Sequence, residues 1–412
     1  MGKFRLGSFQ LSFSGANQGF AAPQQIKMAV FVTDGHWRKT LAVVRSLGRR
    51  GIPVTVGEST AIATSFFSKY CSKRIVYPSA IRDPHGFLGR LRGELATGYR
   101  AIFPMEEETL LLLAQHRDLF DPLAFLPVPS YEKIQFVRDK EKLLKFAMAR
   151  GIPCPRTFFF KTPDEVKPGR VGLPAVIKPR IGSGAFGVRY VSDAGNLLPA
   201  YLAVHQRYPL PLVQERIPQE GDSFGVSALF NEDSEVKAAF VHRRLREYPI
   251  SGGPSTLRES VYHPELLELG LSLLKALDWF GVAMVEFKMD PRDNVPKLME
   301  VNPRFWGSLQ LAIFSGVDFP YLMYRMARGE RFEPVVTYEV GRRCRWLLPG
   351  DLFHFFRNPN RFHLSPPFFE FFGGNTCYDI ISKEDPGPVL GRVLTLLTLL
   401  YDRDMRRFLA PR

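Results

Sequence analysis

The chain is poor in cysteine, with four in 412 residues. Cys71, Cys154, Cys344 and Cys377 lie far apart, form no CxxC pair and show no zinc spacing. A disulfide scaffold and a cysteine zinc site are thereby excluded. The thiols read as the reduced cysteines of a cytoplasmic protein. Long hydrophobic runs are also missing. The best candidate, Val389 to Leu400, is short and interrupted by Arg392, well below the roughly 18 apolar residues of a membrane span. No transmembrane segment is expected, while contact with a membrane surface stays open. Residues 1–25 are polar and rich in Gly and Ser, without the apolar centre of a signal peptide. They are expected to form a disordered leader, and Leu6 stands where a myristoylation signal needs Ser or Thr.

Several catalytic signatures are absent as well. No GxGxxG follows the first strand, which argues against a dinucleotide site, and no Gly-Lys-Ser/Thr marks a Walker A loop. There is no Gly-x-Ser-x-Gly elbow, no HxxxH pair and no internal repeat. Basic residues give a net charge of +14 but form no dense run. An anionic partner is implied, whether nucleotide, nucleic acid or acidic membrane, and charge alone decides little among them, although nucleic acid is not the expected partner.

What is present is a globular composition, 45% hydrophobic and 23% charged, and a length that favours two or three domains. From Met28 the pattern alternates. A strand to Thr33 leads to a helix over Arg38–Gly48 with Leu41, Val44 and Leu47 on one face, then to strands at Pro53–Val56, Arg74–Tyr77 and Ala101–Pro104. This predicts a doubly wound α/β domain over 26–130. Residues 131–330 carry short strands and two long helices in an α+β order, followed by a Phe-, Pro- and Arg-rich extension over 331–412 with no assigned role.

The stretch Leu298-Met299-Glu300-Val301-Asn302-Pro303-Arg304 organises the rest. Apolar residues lead into Glu300, Asn302 and Arg304 at every second position, so an extended chain aims all three the same way. Two oxygen ligands and a guanidinium suit Mg²⁺ with phosphate. Upstream, Val282–Asp290 reads as a strand with one inward carboxylate, Glu286. A turn at Pro291–Asn294 would set Glu286 beside Glu300. Taken alone, the two strands also fit a surface hairpin with scattered charges.

A second signal is the strand ending in Lys178-Pro179, followed by Gly182-Ser183-Gly184-Ala185-Phe186-Gly187. Such a loop lets backbone N–H groups approach phosphates, with Lys178 adding a point charge. A Gly-rich hairpin with a solvated lysine fits it equally. Gln214 to Ile217 can offer backbone groups to an adenine rim, with Asp222 beyond a turn for ribose hydroxyls, although an ordinary strand end fits them better when read alone. The strand end His242–Glu247, including Arg244, and the loop Ser251–Thr256, including Ser255, could hold an anionic substrate group or form a solvated face.

The order of these features, Lys140, Lys178 with its Gly-rich loop, Glu215, Asp222, Glu286 and Glu300-x-Asn302-x-Arg304, resembles the ATP-grasp superfamily. The nearest likeness is to predicted carboxylate–amine ligases, which share a wording like Glu-Val-Asn-Pro-Arg-Phe-Trp-Gly-Ser. The resemblance covers about Met28 to Gly329. It implies a pre-ATP-grasp α/β domain followed by a two-lobed ATP-grasp fold. It further implies that Lys140, Lys178 and the loop glycines Gly182, Gly184 and Gly187 with Ser183 contact ATP phosphates, that Glu215, Arg216 and Ile217 line the adenine, and that Asp222 holds ribose. Glu286, Glu300 and Asn302 would bind Mg²⁺, with Mn²⁺ as a substitute. Arg304 would stabilise the transferring phosphoryl group or the bound carboxylate, and Lys178 and Arg304 would be the catalytic cations. The implied reaction activates a small-molecule carboxylate as an acyl phosphate for attack by an amine or thiol. A phosphotransferase, or a nucleotide- or nucleic-acid-binding protein without catalysis, are the alternatives. Homo-oligomers remain open.

Overall fold

The structure, a computed structural model, describes residues 28–182, 187–371 and 373–398. The leader, Ser183 and Gly184 therefore lie outside the described residues. The first unit consists of β1 (Val30–Val32), α1 (Arg38–Gly48), β2 (Val54–Glu58), β3 (Lys73–Val76), α2 (Pro84–Leu95), β4 (Ala101–Phe103) and α3 (Glu107–Gln115). Its strands form a parallel sheet in the order β3-β2-β1-β4. All residues of β1, β2 and β4 are buried, as expected of parallel strands covered on both faces. The strand order reverses between β1 and β4, so a crevice is expected at their carboxyl ends. There Asp34 adopts φ 59°, and its carboxylate accepts hydrogen bonds from the Thr33 and Thr109 hydroxyls and the Glu106 amide. This ties the end of β1 to the start of α3.

The chain continues through α4 (Tyr131–Arg138) and α5 (Lys140–Met148), which Asp139 caps by accepting from the Glu141 and Lys142 amides. Next come β5 (Thr157–Phe158), β6 (Ala175–Lys178), β7 (Arg189–Val191), α6 (Leu197–Arg207) and β8 (Leu212–Glu215). They form a small antiparallel sheet in the order β5-β8-β6-β7. α6 closes it over a core of Ala175, Ile177, Val213 and Tyr201.

The larger lobe contains β9 (Ser223–Phe230), β10 (Val236–Glu247), β11 (Ser255–Ser260), α7 (Pro264–Ala276), β12 (Gly281–Asp290), β13 (Val295–Asn302), α8 (Leu309–Phe314), α9 (Phe319–Ala327), β14 (Arg343–Arg345), α10 (Leu352–Arg357), β15 (Thr376–Tyr378) and α11 (Gly387–Thr398). Its sheet runs β13-β12-β9-β10-β11-β14-β15. The expected loop at Ser251–Thr256 ends earlier than the pattern suggested. Ser255 opens β11, which pairs antiparallel with β10. The strand was hidden because its buried Arg258 reads as a surface residue until Asp379 accepts from its guanidinium at 2.8 Å. The segment after Phe332 supplies two further strands: β14 pairs with β11 and β15 runs parallel to β14.

The end of the described chain returns to the first unit. Asp385 accepts from Arg45 Nε at 2.9 Å, Ser68 Oγ at 2.7 Å and the Lys69 amide at 2.9 Å. Arg45 also donates to the carbonyls of Asp379 and Ile380. α11 packs so closely on the turn at 64–67 that a Cβ at Gly387 would lie 2.2 Å from the Phe67 carbonyl oxygen. Arg45 and Asp385 are both buried, whereas the neighbouring pair Arg49–Glu384 is exposed on both sides. Arg45→Met should cost about 3–5 kcal/mol, because it strands a buried carboxylate. Arg49→Ala should cost about 0–1 kcal/mol. Urea unfolding of the two variants checks the contrast, and equal losses would refute it.

Candidate active site

The site is built on the β12–β13 hairpin. Asn294 takes φ 54° in its turn, and Glu286 pairs directly with Glu300 across the ladder. The register shifts at that pair, because Phe287 faces Leu298 and Met299 is the extra residue. A bulge of this kind re-aims side chains, and here it lies at the carboxylate pair. Asn302 Nδ2 donates to Glu286 Oε1 at 3.0 Å and to Glu300 Oε1 at 3.4 Å. All three side chains are only partly exposed.

Two carboxylates directly opposite each other repel, and cations gather around them. Arg244 Nη2 lies 2.5 Å from Glu286 Oε2, and its Nη1 lies 3.2 Å from Glu247. Lys140 Nζ lies 3.7 Å from Glu300 Oε2 and donates to the Gly182 carbonyl at 2.7 Å. Burial pushes Glu300 towards neutrality, but Lys140, Arg244, Lys178 and Arg304 together hold its titration below the usual carboxylate range. Glu286 moves the other way, raised by burial and by the Glu300 charge against the pull of Arg244. The pair thus divides into a committed anion and a carboxylate more easily protonated.

Lys178 stands at the end of β6 and donates to Gln214 Oε1 at 2.7 Å. Burial, and then the nearby Lys140 charge, lower its pKa to about 8. Gly187 has φ 73°, and a Cβ there would lie 2.5 Å from the Tyr208 ring. Arg304 donates to the Phe305 carbonyl, while its buried Nε has no partner among the described residues.

Other expected residues have protein partners of their own. Glu215 accepts from the Arg156 amide at 2.8 Å and from Arg292 at 2.9 Å. Arg216 lies over the Tyr190 ring and Ile217 is buried. Asp222 pairs with Arg243 at 3.2 Å. Ser255 is not brought to the carboxylates as a substrate hydroxyl. It is buried, and its Oγ donates to the Leu257 carbonyl at 3.0 Å. A strand start consumes its polar groups where a loop would have offered them. Arg244, in contrast, reaches Glu286.

Two residues escaped the sequence reading. Arg38 and Lys39 begin α1 and reach the loop directly after Arg304. Arg38 Nε donates to the Gly307 carbonyl at 2.7 Å, with its guanidinium 3.9 Å from the Trp346 ring centre. Lys39 Nζ donates to the Phe305 carbonyl at 3.2 Å and pairs with Glu106 at 2.7 Å. Burial, then the Arg304 charge, lower the Lys39 pKa to about 8 against the pull of Glu106. The available signal was position: two cations in the first turn of a helix, where the dipole disfavours them, at the carboxyl edge of a parallel sheet.

The donor set fits a hard cation. Two carboxylates and an amide suit Mg²⁺, which keeps other positions for water or phosphate. A half-turn of the Asn302 amide would present its oxygen in place of its N–H groups. Among the described residues no group of three or more His, Cys, Asp and Glu side chains is arranged to hold a metal, so any ion held by these two carboxylates needs ligands from elsewhere.

Residues 211–348 match the family model described as ATP-grasp in the biosynthetic pathway with Ter operon. The chain is similar to a D-alanine–D-alanine ligase of Mycobacterium sp. (strain KMS), at 28% identity over 46% of this chain and 57% of that protein. It is also similar to the uncharacterized protein y4rH of Sinorhizobium fredii, at 39% identity over 50% of this chain and 45% of that protein. The alignments thus span about half the length of these curated relatives. Among solved structures, the biotin carboxylase domain of the Hydrogenobacter thermophilus 2-oxoglutarate carboxylase, in complex with MgADP, ADP and bicarbonate, superposes with a TM-score of 0.62 at 18% identity, covering 77% of this chain and 74% of that one. The fold is the ATP-grasp fold, with an α/β domain ahead of two lobes.

Lys39→Met should loosen the loop after Arg304. Losing one hydrogen bond from a charged donor, about 1.5–3 kcal/mol, should speed amide exchange at Phe305 to Ser308 by about tenfold or more while the β12–β13 amides stay protected. Unchanged exchange in that loop would mean Lys39 does not hold it.

Proposed function

We propose that this ATP-grasp chain is an ATP-dependent ligase that activates a carboxylate as an acyl phosphate for attack by an amine or another nucleophile. The observation that carries the reading is the Glu286, Glu300 and Asn302 set enclosed by Lys140, Lys178, Arg244 and Arg304. The matched family, the ligase relatives and the MgADP-bound structural neighbour support it.

On this reading Glu286, Glu300 and Asn302 hold Mg²⁺, or Mn²⁺, which would neutralise and orient the phosphates. Lys140 and Lys178 contact those phosphates from α5 and β6. Glu215, Arg216 and Ile217 border the adenine, and Asp222 faces the ribose. Arg304 stands at the reacting end, where its unpaired Nε is available to the carboxylate or the phosphoryl group. A carboxylate oxygen attacks the γ-phosphorus and ADP leaves. The nucleophile then attacks the acyl carbon, phosphate leaves, and the proton of the nucleophile passes to solvent. Positioning and charge neutralisation supply the rate, and no nucleophilic side chain is needed. The four cysteines are free thiols, which fits a reducing, cytoplasmic setting. The reading takes small molecules, not nucleic acid, as the substrates.

The test is release of ADP and phosphate over a panel of acid and amine pairs. Turnover that requires both partners supports ligation, whereas turnover with the acid alone would indicate a phosphotransferase. Glu300→Gln should lower Mg²⁺-dependent turnover about 10³-fold or more, with an unchanged circular dichroism spectrum. A folded variant with normal turnover would remove Glu300 from the metal site.

The Lys178 pKa of about 8 sets a pH dependence. A lysine whose pKa is lowered keeps its charge below that value and loses it above. Calorimetric ATP affinity should therefore fall about tenfold between pH 7 and pH 9. Lys178→Met should bind ATP more weakly at pH 7 and show a flatter profile. Parallel profiles for the two proteins would show that Lys178 does not meet the phosphates.

A further inference from the structure

The segment around α10 exposes aromatic rings that the proposed ligase chemistry leaves unused. Phe353, Phe356, Phe362 and Phe369 are 46%, 68%, 69% and 62% exposed. Phe356, Phe362 and Phe369 gather around one buried ring, and Phe353 precedes Phe356 by three positions, about one helical turn, on α10. The buried Phe355 ring lies 5.7 Å from Phe356, 5.6 Å from Phe362 and 5.5 Å from Phe369, and Phe353 lies 5.4 Å from Tyr248. Contiguous exposed apolar surface of this kind marks an interaction site.

The patch is rigidly mounted. Phe355 and Phe368 are buried and 4.2 Å apart. The guanidinium of Arg345, on β14, lies 4.5 Å from Phe368 and 4.8 Å from Phe371 and is itself tied to Asp351 at 2.5 Å.

The charge beside the rings is mainly basic. Glu370 is the only carboxylate between Leu352 and Phe371, and it lies 3.6 Å from Arg343. Arg357 is exposed, and Arg361 lies 5.3 Å from the Phe362 ring centre. Neither has a carboxylate partner among the described residues. A two-fold contact with a second copy would set this basic, aromatic face against itself and oppose like charges. An anionic bilayer surface answers both features, because rings enter the acyl boundary while guanidiniums meet lipid phosphates. No helix among the described residues is long and apolar enough to cross a membrane, so the contact would lie on the surface.

We propose that the face formed by Phe353, Phe356, Phe362 and Phe369 with Arg357 and Arg361 docks on membranes containing anionic lipid. The proposal is independent of the ligase reading. It is tested by cosedimentation of the full chain with vesicles of phosphatidylcholine alone and of phosphatidylcholine with phosphatidylglycerol. The wild type should bind the anionic vesicles more tightly, and binding should weaken with added salt. Phe356→Ser and Phe362→Ser should each weaken binding about tenfold, with unchanged melting temperatures. Arg357→Gln and Arg361→Gln should each weaken it about fivefold on the anionic vesicles alone. Absence of vesicle binding, or equal binding by wild type and the Phe356→Ser/Phe362→Ser double variant, would overturn the proposal. So would a wild-type dimer in analytical ultracentrifugation that the double variant converts to monomer, because the face would then belong to a second copy.

Discussion

Two carboxylates face one another across neighbouring strands, and much of the cleft answers that repulsion. Glu286 and Glu300 could not remain partly buried side by side without counter-charge. Arg244 reaches them from β10, Lys140 from α5 and Arg304 from the end of β13. Lys178 adds its field from β6 in the other lobe. Each cation comes from a separate element, so the pair is neutralised only where these elements meet. More cations than carboxylates gather there. The surplus gives the cleft an attraction for anions.

A second set of buried charges fixes the first unit against this cleft. Arg38 and Lys39 meet the carbonyls of Gly307 and Phe305. Arg38 also lies 3.7 Å from Asp379, which binds Arg258. Arg45 meets Asp385 and the carbonyls beside it. Buried ion pairs return little net stability, because desolvation offsets much of the attraction. Their strength lies in direction, since a guanidinium satisfied by several fixed oxygens has few alternative positions. The loop that carries Arg304 is therefore held from the α/β unit as well as from its own strand.

The aromatic face around α10 differs in kind. Its buried rings are anchored by packing and by Arg345, while Phe353, Phe356, Phe362 and Phe369 stay exposed. It sits near the cleft in the chain, because Tyr248, which touches Phe353, directly follows Glu247, the partner of Arg244.

The features legible in the sequence were those set by short-range geometry. Alternation in an extended chain put Glu300 and Asn302 on one face, and the Pro291–Asn294 turn set Glu286 opposite Glu300. Alternating strands and helices announced the parallel sheet, and α1 begins and ends where its apolar spacing indicated. What only the tertiary structure decided depends on distant charge partners. Arg258 and Arg345 read as solvent-exposed until Asp379 and Asp351 neutralise them inside, which concealed β11 and β14. Ser255 reads as a loop hydroxyl until strand pairing consumes it. Arg38 and Lys39 find Gly307 and Phe305 more than 260 positions away. Local periodicity reports which way a side chain points, but a buried charge is settled by a partner that only the folded chain brings near.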